Sequence, residues 1–91
     1  MRVIRPCTSK GGFVLEFPAG RRLGMGDVSD LLAPVEDAKV LSTTPVVVMA
    51  EVGGVRVSVH PRKLLVLTRE KDTAQKVAER VYDALFPTEE T

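Results

Sequence analysis

Between Val46 and Phe86 the apolar residues recur in two rhythms, first at every second position and then at every third or fourth. The first rhythm is the period of a strand, the second that of a helix. Val46 to Val52 is apolar apart from Glu51, and Gly53-Gly54 follows. A glycine pair suits a two-residue hairpin turn, which needs positive φ at both central positions. That turn sets a register with Val52 opposite Val55, Glu51 opposite Arg56, Ala50 opposite Val57 and Val48 opposite Val59. The opposite charges of Glu51 and Arg56 suit such a pair. One face then holds Val46, Val48, Ala50, Val52, Val55, Val57 and Val59, and is expected to be core.

A second tight turn at Pro61-Arg62 would place Val59 opposite Leu64 and Val57 opposite Val66. Leu65 and Leu67 then join the other face, beside Val47, Met49, Glu51, Arg56, Ser58 and His60. A turn one residue longer would invert Leu64 to Leu67, because strand faces alternate. The second face is too apolar for a freely solvated sheet, so an N-terminal hairpin or a partner is expected on it. After Asp72 or Thr73, expected as helix caps, Ala74, Val77, Ala78, Val81, Tyr82, Leu85 and Phe86 form one stripe. This is an amphipathic helix of about four turns, ended by Pro87. Residues 87–91 are expected to be a flexible tail.

The first half of the chain is less regular. Arg2 to Arg5 reads as a short strand stopped by Pro6, and Cys7 to Gly12 as a turn. Phe13, Leu15 and Phe17 alternate with Val14 and Glu16, as on a half-buried strand ended by Pro18. The two strands would form a hairpin. Ala19 to Gly26 is a loop, after which Asp27 or Ser29 could cap a short helix limited by Pro34. Lys39 to Leu41 is a further short strand candidate.

With 91 residues, of which 44% are hydrophobic, the expectation is a single small domain over residues 1–91. There is no Trp and one Tyr, so the core should be aliphatic and valine-rich. Domains of this size often bury apolar surface against a second copy or a partner. The net charge of +1 hides a strong unevenness. Residues 1–26 and 53–71 each carry five Lys/Arg against one acid, whereas 27–52 carry one against five and 72–91 two against five. The basic blocks are mostly strand and loop, and the acidic blocks hold both helices. Separate layers would therefore give the molecule a more positive side. Cys7 is the single cysteine, which excludes an internal disulfide and a metal site built on paired cysteines. No apolar run approaches 18 residues, and the start of the chain lacks the apolar core of a secretion signal. A cytoplasmic protein without a membrane span is expected.

Chemistry-bearing residues are few. His60-Pro61-Arg62-Lys63 is a basic turn able to touch phosphate. His60 has neither a sequence-evident Asp or Ser partner for nucleophilic catalysis nor a second His or Cys for a metal. Arg21 and Arg22 lie in a glycine-rich loop before a helix start, where backbone N–H groups bind anions. That loop has neither the Lys-Ser/Thr ending of a P-loop nor dinucleotide glycine spacing. Asp27, Asp30, Glu36 and Asp37 match no calcium loop, and the first two suit the positive end of a helix. No cofactor or metal is expected.

From Val55 to Thr68 the sequence Val-Arg-Val-Ser-Val-His-Pro-Arg-Lys-Leu-Leu-Val-Leu-Thr resembles a strand, basic turn and returning strand of one half-repeat of the TATA-binding protein. The resemblance runs from Pro45 to Leu85 and is topological. Arg62 stands before Lys63 where that family has glycine, and Val59 and His60 stand near the place of its DNA-kinking phenylalanine. The resemblance implies a curved sheet crossed by a long helix, and carries over no binding residue.

The expected fold is therefore α+β, a two-layer sandwich in β-α-β4-α-like order. It has a curved antiparallel sheet of about five strands and a C-terminal helix across one face. The expected function is a non-enzymatic binding module that uses the free sheet face for protein interaction or self-association. Arg56, Ser58, His60, Arg62 and Lys63 would make its polar contacts, and Met49, Leu65 and Leu67 its apolar ones. The alternative is nucleic-acid backbone binding by the basic strand surface, though few aromatics are present for base stacking. A third reading is an enzyme or anion site at residues 20–27, with Arg21 and Arg22.

Overall fold

Alternating valines and two tight turns build the centre of a six-stranded, wholly antiparallel sheet. The computed structural model describes residues 2–7, 11–18, 20 and 22–87. Its elements are β1 (Arg5–Cys7), β2 (Gly12–Glu16), α1 (Met25–Leu32), β3 (Ala38–Thr43), β4 (Val48–Val52), β5 (Val55–Val59), β6 (Lys63–Val66) and α2 (Lys71–Leu85). The strand order is β1-β2-β6-β5-β4-β3. The sheet has one strand more than the five expected, because both β1 and β3 pair as edge strands.

The central register agrees with the sequence residue for residue. Val52 pairs Val55, Glu51 pairs Arg56, and Val57 pairs Val66. Gly53 and Gly54 have φ of 56° and 84°, the left-handed conformation that a two-residue hairpin demands. Leu15, Val48, Ala50, Val52, Val57, Val59, Leu64 and Val66 then share one face, buried with Val28, Leu32, Ala74, Ala78 and Val81 from the helices. α2 lies over β2 and β6, while α1 packs on β3 and on α2.

Several boundaries differ from the sequence reading. β1 runs through Pro6 to Cys7 instead of stopping at Pro6. An edge strand bonds on one side only, so it tolerates a residue without an N–H. Residues 2–4 lie outside that strand, with Ile4 buried and Arg2 docked on α2. β3 extends past Lys39–Leu41 to Ala38–Thr43, with an irregularity between Val40 and Ser42. Val46 does not join the core face. It stands 68% exposed in the β3–β4 turn, where the Thr44 hydroxyl oxygen accepts from the N–H groups of Val46 and Val47. Neither helix uses the expected cap. α1 starts after Gly24 and α2 after Glu70, neither with a side-chain cap bond, in place of Asp27 or Ser29 and Asp72 or Thr73.

The N-terminal hairpin extends the sheet and does not cover its second face, because β2 pairs with β6. Gly12 permits that approach: a Cβ there would stand 2.4 Å from the Val66 carbonyl oxygen. The core is not purely aliphatic. Phe17 meets Tyr82 and Phe86 edge to face, with Phe17 and Phe86 centroids 5.0 Å apart, and Tyr82 lies tilted on Phe86. The turn residues Thr8 to Lys10, together with Arg21 and the tail at 88–91, lie outside the described residues.

Candidate functional site

Helices cover one side of the sheet, and the opposite side is left uncovered. The register arranges that side in three rows. The middle row runs Arg5, Val14, Leu65, Ser58, Met49, Ser42. Beside it on one flank, Leu67, Arg56, Glu51 and Lys39 stand together, with Cys7 opposite Gly12 at the β1–β2 end. On the other flank are Glu16, Lys63 and His60, with the His60 N–H bonded to the Lys63 carbonyl at 2.8 Å.

The expected contact residues divide into floor and surface. Ser58 and Leu65, at the centre of the sheet, are only 6% and 7% exposed. Met49 and Leu67 are half-buried, and Arg56, Arg62 and Lys63 are exposed. The apolar part of the surface is therefore Val14, Val47, Met49 and Leu67 around a sealed floor.

His60 has a hydrogen-bond partner in Ser58, which the sequence reading did not anticipate. Ser58 lies two residues earlier on the same strand face, and its Oγ is 2.7 Å from His60 Nε2. The two-residue period of a strand was the signal that could have found it. Ser58 is buried, and the bond satisfies its polar group. Among the described residues no three His, Cys, Asp or Glu side chains converge as a metal site would need.

At one end of this face the structure joins two segments that the sequence treats separately. The Phe17 N–H bonds the Arg62 carbonyl at 2.8 Å, and the Leu23 N–H bonds the Pro61 carbonyl at 2.9 Å. Arg22 thereby comes beside His60, Arg62 and Lys63 around one recess. Arg21, expected beside Arg22, falls outside the described residues.

Charge is divided between the two sides. The open face and its end carry Arg5, Arg22, Lys39, Arg56, Arg62 and Lys63 against Glu16 and Glu51. Acids predominate elsewhere, including Asp27, Asp30, Glu36, Asp37, Asp72 and Asp83. Two ion pairs on the helix side are structural. Asp37, just before β3, accepts from Arg80 of α2, with one bond at 3.1 Å, and that guanidinium holds its carboxyl below the ordinary value. Burial alone would raise the Glu79 carboxyl, but the backbone N–H and guanidinium of Arg2 and the Gln75 amide hold it low.

No helix among the described residues is long and apolar enough to cross a membrane. No family model, curated protein or solved structure matches this chain.

Proposed function

We propose that this chain is a non-enzymatic, cytoplasmic binding module that engages a protein partner through the open sheet face. One observation carries the reading: an antiparallel sheet with helices on a single side leaves Val14, Val47, Met49 and Leu67 at the surface, ringed by charges. An apolar centre with a polar rim is the anatomy of a protein interface. The rim is mainly cationic, which favours an acidic partner over a face-to-face second copy. The single cysteine fits a reducing compartment. From β2 onward the order strand, helix, four strands, helix supports the likeness to a TATA-binding half-repeat as a description of fold.

The test is photo-crosslinking in cells from a probe amino acid at Met49 or Leu67, with Lys76 on the exposed side of α2 as control. Protein adducts are expected from the two face positions and not from 76, and Arg56→Glu should reduce them. Equal adducts from all three positions, or none from the face, would refute the reading. The cation excess also supports nucleic-acid backbone binding as a second reading. Adducts that disappear on nuclease treatment, with affinity falling steeply in salt, would select it instead.

A further inference from the structure

We propose that the recess between the β2 end and the β5–β6 turn binds the phosphate group of a small phosphorylated ligand. The site is distinct from the apolar centre of the face and does not depend on the reading above. Its volume is 380 Å³, within the range of small-molecule sites, with Phe17 and Pro18 among its lining residues and Arg22, Arg62 and Lys63 as its cations. A duplex or a protein surface is too large to enter it.

The three cations stand on or beside hydrogen-bonded backbone and are electrostatically unspent. Two backbone hydrogen bonds, Phe17 to Arg62 and Leu23 to Pro61, fix Phe17 and Leu23 against the turn, so residues 40 positions apart share one wall. Among the described residues, Arg2, Arg5 and Arg80 each hold a carboxylate, whereas Arg22, Arg62 and Lys63 hold none. One carboxylate does line the recess. Glu16 stands opposite Lys63 in the β2–β6 register, which would normally make a cross-strand ion pair. Its Oε2 instead lies 2.5 Å from Arg5 on the neighbouring strand, and the Lys63 ammonium is left unmatched. Two guanidinium forks and one ammonium around a concave space are the donor set that recognises a phosphate dianion.

The experiment is a titration of the 15N-labelled chain, followed through its amide resonances, with inorganic phosphate and separately with adenosine 5′-monophosphate. Sodium chloride holds the ionic strength constant. Saturable shifts are expected at Gly20, Arg22, Leu23, Arg62 and Lys63. Arg22→Ala and Lys63→Ala should each weaken binding about tenfold. Lys39→Ala, at the far edge of the face, should leave it unchanged, and the spectra themselves report that each variant is folded. Tighter binding of the nucleotide would make a phosphorylated metabolite the ligand, and equal affinity would make it phosphate itself; both support the site. Shifts that never saturate mean an adventitious ion only and overturn the proposal. So do shifts spread over Lys39 and Arg56, or an oligonucleotide that outcompetes the mononucleotide.

Discussion

Arg2 does more to join the layers than its place near the start of the chain suggests. Its N–H and guanidinium bond the two Glu79 oxygens at 2.6 and 2.7 Å, and its carbonyl accepts from Gln75 at 2.7 Å. Its guanidinium also lies 3.9 Å from the centre of the Tyr82 ring. Arg2→Ala should therefore lower stability by about 2 kcal/mol, allowing for partial exposure, as read from urea denaturation. None of this was legible in the sequence, where Arg2 reads as the first residue of a strand. Its partners lie more than 70 positions away, and no local period connects them. The Ser58–His60 bond is the opposite case. Two residues apart on a strand, the pair was available to a strict application of the two-residue period.

At the scale of elements, legibility follows the strength of the local constraint. β4, β5 and β6 were readable to the register because alternating valines meet turns of fixed length. Both helix starts were missed because Gly24 and Glu70 make no side-chain cap bond, so nearby Asp, Ser and Thr residues misled the reading. Among the ion pairs that tie α2 to what surrounds it are Asp37–Arg80 near β3 and Glu79–Arg2 at the N-terminal segment. Both carboxyls lie below their ordinary values in the folded state. Their contribution to stability is thus complete above the unfolded-state values of roughly 4 and is lost as pH falls through the lower folded values. The thermal midpoint should decline below about pH 4. The decline should be shallower in an Arg2→Ala, Arg80→Ala double variant, as scanning calorimetry between pH 6 and 2 would show.

For the whole molecule, the layered fold turns blocks of charge along the chain into opposite sides of a solid. A chain with net charge +1 should consequently be retained on a cation exchanger at pH 7 through its sheet side. Reversing Arg56 and Lys63 to Glu should abolish retention more effectively than reversing Lys71 and Lys76, which lie on α2. Equal losses from both pairs would mean that the exchanger reads net charge alone. The division could be anticipated from the blocks, but the meeting of Arg22 with Arg62 could not. It depends on β2 pairing with β6, a long-range choice that no local pattern announces. The docking of Arg2 on α2 has one more consequence. Residue 2 and Phe86 both lie in the helix layer. A fluorescent label or a tether to a sensor chip placed on the exposed Lys76 of that layer would stand behind the molecule, and the uncovered strands would still face the solution.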